Sequence, residues 1–202
     1  MNYNKKIFKN KIDRKQIYFD VAKLHMKSIQ SGFLTTLGLK FLALMYRCID
    51  ESDFTILIVK YNNSKLIGFV TGSLGTGSLY KKMFNHPFQL VLALFPNIFK
   101  ISKIKQVFEI YNYMSGENRK NYPKAELLTI CVESDFRRKG IALDLYKQLS
   151  NYFKSKSVSK FVIIVGQSLK ANAFYKSQGA EIVGEIKIHQ DINSNLFVQS
   201  LL

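Results

Sequence analysis

Three observations predict an α/β fold in which a mixed sheet is flanked by helices. Two segments with helical periodicity are followed by a strand–turn–strand hairpin. Further on, an apolar strand leads through a basic turn into an amphipathic helix, and then into another apolar strand. In chain order these segments are residues 13–29, 35–49, 54–61, 66–72, 127–132, 141–153 and 161–165. With 202 residues, of which 47% are hydrophobic, the chain is long enough for one domain with a substantial core.

The individual elements follow from local patterns. In the first helix, apolar residues such as Ile17, Val21 and Leu24 lie on or near one face, and residues 30–32 break the pattern. The second helix has a comparable apolar face, and residues 62–65 form the hairpin turn. A weaker strand pattern precedes the helices, and alternating patterns at the end of the chain predict two last strands joined by a turn. These are residues 7–12, 181–189 and 195–201, with the turn at 191–195.

The turn between the strand at 127–132 and the helix at 141–153 has the features of an anion site. Backbone N–H groups at a helix N-terminus lack intrahelical partners, and the helix dipole adds positive potential there. Gly140 allows close approach of a ligand to the backbone, Ala142 is small, and the three residues before Gly140 are basic. A pyrophosphate fits such a turn. The turn matches neither the P-loop nor the three-glycine dinucleotide pattern.

A second motif follows the strand at 161–165. Ser168, Ala171, Tyr175 and Gln178 are spaced to share one helical face, and Gly179 ends the predicted helix. The pattern Arg137-x-x-Gly140-x-Ala142, together with this motif, resembles the GCN5-related N-acetyltransferase (GNAT) family over residues 125–183. Ser134, Ser168 and Ala180 replace residues that are usual there.

The resemblance implies a mostly antiparallel sheet and an enzyme that moves an acetyl group from acetyl-CoA directly to a primary amine. The amine could belong to an amino sugar or another small metabolite. A protein N-terminus, a polyamine or an antibiotic remains an alternative. The resemblance also implies contacts to acetyl-CoA through main-chain groups of the cofactor strand, residues 127–132, and through the two motifs. The implied residues are Ile130, Cys131, Val132, Arg137, Arg138, Lys139, Gly140, Ile141, Ala142, Leu143, Ser168, Ala171 and Phe174.

Direct transfer needs a base for the amine and an acid for the departing thiolate. Tyr175 matches the family tyrosine near the cofactor sulfur, and with an ordinary pKa near 10 it would be protonated at neutral pH. Glu126 begins the cofactor strand, where many members have a carboxylate that relays a proton through water. Alternatives for the base are Glu133, Asp135 and His25.

The segment from about 75 to 123 is an insertion, because family members pass from the hairpin to the cofactor strand in a short loop. It is predicted to be helical and to enlarge the core. A lid over the acceptor is a second interpretation, and membrane contact through residues 87–105 is the least favoured. We expect a single N-acetyltransferase domain over residues 1–202.

A net charge of +16, from 30 basic and 14 acidic residues, raises the alternative of a nucleic-acid-binding or membrane-surface protein. However, the basic residues of this chain are dispersed along the sequence, and only five of them are arginine, so nucleic acid is not expected as a partner. A member that binds acyl-CoA without catalysis is the other alternative. Neither the histidines nor Cys48 and Cys131 have metal-ligand spacing, so no metal is expected. The chain shows no secretion signal and no long apolar run, which predicts a cytoplasmic protein. The oligomeric state stays open, with a homodimer as one option.

Overall fold

The computed structural model describes residues 14–30, 32–75, 89–90, 122–189 and 192–201. Four α-helices and six strands lie in these ranges. The helices are α1 (Arg14–Ser28), α2 (Leu39–Asp50), α3 (Ile141–Ser155) and α4 (Ala171–Ser177). The strands are β1 (Thr55–Asn62), β2 (Lys65–Ser73), β3 (Glu126–Val132), β4 (Lys160–Gly166), β5 (Glu181–His189) and β6 (Ile192–Ser200).

The six strands form one sheet in the order β1-β2-β3-β4-β6-β5. β3 and β4 pair in parallel, and the other four neighbouring pairs are antiparallel. A parallel pair needs a crossover connection, which α3 provides between β3 and β4. The predicted mixed, mostly antiparallel sheet is therefore confirmed.

Each face of the sheet is covered by its own pair of helices. α1 and α2 pack on the face that carries Leu57 and Val59 of β1, whereas α3 and α4 pack on the face that carries Ile56 and Ile58. This alternation follows from the two-residue period of a strand. Both faces are apolar and covered, so the sheet is the centre of two hydrophobic cores.

Two glycines in β2 allow α3 to lie close to the sheet. A Cβ atom at Gly72 would come within 2.5 Å of the Leu149 Cδ1 atom and 2.9 Å of the Phe153 Cζ atom. A Cβ atom at Gly68 would lie 3.0 Å from the Leu145 Cδ1 atom. Because the N-terminal end of α3 carries the basic turn, these contacts also set the height of that turn above the sheet.

The structure corrects three predicted boundaries. The helix predicted at 35–49 is a 3₁₀ turn at Phe33–Leu37 followed by α2, because Gly38 between them adopts a φ of +91° that no helix contains. The helix predicted from Ser168 begins only at Ala171, and Ser168 lies in an exposed turn. The last strand begins at Ile192 rather than at 195. The strand predicted at 7–12 lies outside the described residues.

Most of the predicted insertion at 75–123 also lies outside the described residues. In its described part, Leu90 packs against the core under α1 and α2. The guanidinium of Arg47 donates to the side-chain carbonyl of Gln89 over 3.4 Å. Within the described ranges, no helix is long and apolar enough to cross a membrane.

Candidate active site

β3 and β4 separate after a short paired stretch. They pair only at Glu126 with Val162 and at Leu127 with Ile163, whereas β3 stays paired with β2 as far as Val132. The main-chain groups in the second half of β3 therefore have no partner strand on the β4 side. This opening between the two strands is called the gap below.

A β-bulge decides which main-chain groups of β3 face the gap. Thr71 pairs with Thr129 and Gly72 with Leu127, so Leu128 is the extra residue. Beyond the bulge, the Glu133 N–H group donates to the Ile67 carbonyl of β2 over 2.9 Å. Because main-chain groups alternate along a strand, those of Ile130 and Val132 point away from β2 and toward the gap.

The basic turn leads from β3 into α3 through two left-handed residues. Arg138 has a φ of +58° and Gly140, the N-cap of α3, a φ of +76°. The first helical hydrogen bond runs from the Asp144 N–H group to the Gly140 carbonyl over 2.9 Å, and no side chain caps this end of α3. The N–H groups of residues 141–143 are consequently available to an anion.

The charged side chains of the turn are all exposed and lie beside these N–H groups. The Arg137 Nε atom donates to the Val132 carbonyl over 3.0 Å, which ties the turn to the strand that borders the gap. The Lys139 Nζ atom lies 5.2 Å from the centroid of the Phe136 ring. The structure thus brings Arg137, Lys139 and the start of α3 together at one end of the gap.

Tyr175 lies in the core on the face covered by α3 and α4. It is 3% exposed, and its ring packs at centroid distances of 5.3 Å from Phe174, 6.1 Å from Tyr146 and 6.1 Å from Phe197. Burial, followed by the neighbouring Tyr146 and Cys131 side chains, raises the pKa of Tyr175 well above its usual value. The expectation of an ordinary phenol is therefore wrong, and the hydroxyl stays protonated well into the alkaline range.

Glu126 lies on the opposite face, at the point where β3 and β4 begin to separate. It is 4% exposed, and its neighbours Ala125 and Leu127 belong to the core under α3 and α4. The alternation of side chains along the strand directs Glu126 to the side of α1 and α2. Glu126 and Tyr175 therefore lie on opposite faces of the sheet.

The core under α1 and α2 contains three buried side chains that can carry a proton, those of His25, Tyr46 and Cys131. Tyr46 and the His25 Nδ1 atom are hydrogen-bonded over 2.6 Å, and burial lowers the pKa of His25 to about 4. The Cys131 thiol belongs to the same core, and burial raises its pKa to about 12. His25 and Cys131 are therefore neutral near pH 7.

The alternative bases differ in their partners. The Lys27 ammonium donates to the Glu133 carboxylate over 2.5 Å, and this bond lowers the pKa of Glu133. A carboxylate stabilised in this way is a weak general base. Asp135 is exposed at the surface of the turn and accepts from the Ser134 hydroxyl.

Asn172 is a structural residue of this region that the sequence motif did not indicate. Its side-chain amide donates to three carbonyls of the β4–α4 connection, at 2.9 Å from Gly166, 3.2 Å from Gln167 and 2.7 Å from Leu169. Its carbonyl accepts from Asn195 of β6 over 2.8 Å. Asn172 thereby holds the connection that precedes Tyr175, whereas Ser168 is an exposed turn residue. An asparagine inside a short helix is the signal that could have identified it.

The part of the chain that the structure describes contains no recognisable set of metal ligands. Among those residues, no three His, Cys, Asp or Glu side chains cluster as they would around an ion.

Comparisons with known proteins agree with this architecture. Residues 22–180 match the Acetyltransferase (GNAT) family. No curated protein matches the chain. Similar solved structures include the ribosomal-protein-S18-alanine N-acetyltransferase from Escherichia coli, with 12% identity, a TM-score of 0.57 and coverage of 92% of this chain and 88% of that one. An N-acetyltransferase from Staphylococcus aureus Mu50 has 13% identity, a TM-score of 0.60 and coverage of 93% and 94%.

An aminoglycoside 6′-N-acetyltransferase complexed with coenzyme A is similar as well, at 12% identity, a TM-score of 0.58 and coverage of 96% of both chains. At such identities, the similar structures establish the fold alone. The family match spans most of the chain and includes the turn, the gap and α4. The chain therefore belongs to the GNAT family of acetyltransferases and is an N-acetyltransferase.

Proposed function

We propose that this protein transfers an acetyl group from acetyl-CoA directly to the primary amine of a small metabolite. One observation carries the proposal: the gap between β3 and β4 opens beside a helix N-terminus with unpartnered N–H groups and a basic turn. This arrangement suits a ligand with a pyrophosphate at one end and an amide-containing arm that hydrogen-bonds to a strand.

In this proposal the pyrophosphate binds at the start of α3. The N–H groups of residues 141–143, assisted by Arg137 and Arg138, provide the contacts. The pantetheine arm runs into the gap along Ile130 and Val132. There it takes the place of the missing partner strand by forming hydrogen bonds with their main-chain groups. Ala171 and Phe174 of α4 line the other side, and Ser168 lies at the mouth. Contacts made by the backbone are insensitive to side-chain changes at Ile130 and Val132, whereas the main-chain groups of Cys131 face β2.

Tyr175 is the proposed general acid and Glu126 the proposed base. The amine loses its proton to Glu126 through water and attacks the thioester carbonyl. The tetrahedral adduct collapses with cleavage of its C–S bond, and the departing thiolate takes the Tyr175 proton. The second amine proton, lost from the nitrogen of the adduct, returns Tyr175 to its phenol form through water. Each group approaches from its own face of the sheet, so the amine and the thiolate receive separate proton-transfer partners.

A small metabolite with an anionic group is favoured as the acceptor, because a net charge of +16 disfavours a polycation. Membrane contact, a homodimer and a cytoplasmic location remain predictions.

Calorimetry with acetyl-CoA, followed by a thiol-release assay against a panel of amines, tests the proposal. We expect a dissociation constant in the micromolar range, about −8 kcal/mol, and thiol release with at least one amine. Binding without thiol release for any amine of the panel would reject a small-metabolite amine as the acceptor. The absence of both heat and a thermal shift at millimolar acetyl-CoA would reject acetyl-CoA as the ligand.

A further inference from the structure

The connection from β3 to α3 has one buried side chain, and that side chain is a carboxylate. Of residues 133–140, only Glu133 is buried, at 6% exposed, whereas the basic residues of the turn are all at the surface. A buried carboxylate is stable only when it is paired and hydrogen-bonded, because its removal from water is unfavourable. The partners of Glu133 therefore decide where the connection lies.

The Glu133 carboxylate accepts from two donors that lie far apart in the chain. The Ser134 N–H group donates to its Oε1 atom over 3.1 Å and so begins the 3₁₀ turn Ser134–Phe136. The Lys27 ammonium of α1 donates to the same oxygen over 2.5 Å, across a sequence separation of 106 residues. The main chain of Glu133 is fixed as well, since its carbonyl accepts from the Phe136 N–H group over 2.9 Å. Glu133 thus joins the start of the connection to α1.

The rest of the connection carries a conformation that needs support from outside. Arg138 has a φ of +58°, which is unfavourable for a residue with a side chain and persists only where surrounding contacts hold it. The available N–H groups of α3 follow three residues later. Their position relative to the charged turn depends on α3 at one end and on Glu133 at the other.

We propose that Glu133, held by Lys27, is a positioning residue that fixes the basic turn in the conformation that binds acetyl-CoA. The inference rests on the proposed function, because it requires the pyrophosphate to bind at the start of α3. A loop that is already held in its bound conformation gives tighter binding, since the ligand does not have to order it. The donor site then depends on a residue of α1, which lies outside both sequence motifs.

Positioning and simple electrostatics predict opposite signs for one substitution. A carboxylate near the turn repels an anionic ligand, so electrostatics alone predicts that Glu133→Gln strengthens acetyl-CoA binding. If the charged carboxylate positions the turn through Lys27, the same substitution weakens binding although it removes that repulsion. The direction of the change in the dissociation constant separates the two.

The test is calorimetry with acetyl-CoA on the wild-type protein, Lys27→Met, Glu133→Gln and the double variant. Because a partly exposed ion pair changes an equilibrium by roughly five-fold at most, we expect each single variant to raise the dissociation constant by about three- to five-fold. Both substitutions break the same contact, so the double variant should bind no more weakly than the weaker single variant. Lys27→Arg keeps the ion pair and should restore the wild-type value. The two Lys27 variants decide the question if Glu133→Gln does not fold.

Lys23→Met is the matched control, since Lys23 is an exposed residue one helical turn before Lys27 and forms no ion pair among the described residues. It removes the same charge and should leave the dissociation constant within about two-fold. Tighter binding by Glu133→Gln, additive losses in the double variant or an equal loss in Lys23→Met would overturn the inference. A lower urea midpoint with an unchanged dissociation constant would reduce the pair to a stabilising contact and overturn it as well. Failure of the wild-type protein to bind acetyl-CoA would reject the proposed function together with this inference.

Discussion

Replacement of Gly140 by valine should lower the stability of the fold and the affinity for acetyl-CoA through separate physical causes. Gly140 has a φ of +76°, and a Cβ atom there would meet no atom of the protein within 4 Å. The stability loss therefore comes from the left-handed backbone, which costs an L-residue about 1–2 kcal/mol. For a chain of this size, that loss lowers the melting temperature by roughly 2–8 °C.

The effect on acetyl-CoA affinity should be larger than this strain implies. The new side chain projects from the residue that precedes the three unpartnered N–H groups of α3, where the pyrophosphate must approach. A hydrogen bond to a charged group contributes about 1.5–3 kcal/mol. Loss of one or two such bonds should raise the dissociation constant by at least about ten-fold.

Gly179→Val is the matched control for Gly140→Val. Gly179 has a φ of +81°, and no atom lies within 4 Å of a Cβ atom placed there. It should lower the melting temperature similarly and leave the affinity for acetyl-CoA near the wild-type value. Lys139→Ala removes one exposed charge and should cost about 1 kcal/mol or less in binding. Equal dissociation constants for all three variants, measured by calorimetry, would show that the turn does not surround an anion.

Three further predictions concern the acid, the helix packing and a buried histidine. Tyr175→Phe keeps the ring contacts and should leave the affinity for acetyl-CoA nearly constant, whereas loss of the hydroxyl should lower kcat by about 10²-fold. An unchanged kcat from pH 6 to 9, with the chemical step rate-limiting, would show that Tyr175 only packs in the core. Gly72→Ala places a methyl group 2.5 Å from the Leu149 Cδ1 atom and should lower the free energy of unfolding by about 1–3 kcal/mol, and an unshifted urea midpoint would contradict the close packing. Burial lowers the pKa of His25 to about 4 in the folded protein, below its usual value of 6.5. The resulting contribution of His25 to the free energy of unfolding is therefore fully present above pH 6.5, and roughly 3 kcal/mol of it is lost as the pH falls to 4. Urea titrations of wild type and His25→Gln should diverge over that interval, and parallel curves would refute this origin.

Local patterns in the sequence were sufficient for the class of fold. The alternation of apolar residues predicted the hairpin, and the three-to-four-residue period predicted α1 and α3, because both signals arise within one element. The glycine-bearing turn was equally local: the residue at 140 must adopt a positive φ, which favours glycine, and the charges beside it are adjacent in sequence. The family resemblance rested on these same short segments.

The tertiary structure decided what those segments face. The bulge at Leu128 turns Ile130 and Val132 toward the gap, and it exists only through the pairing of β3 with β2. The pKa values of Tyr175 and His25 depart from ordinary values because residues distant in the chain bury them. The Lys65 Nζ atom lies 5.9 Å from the centroid of the Phe136 ring because the sheet brings the start of β2 beside the turn that follows β3. Burial and convergence depend on the packing of separate elements, and the pattern of any single segment carries no information about that packing.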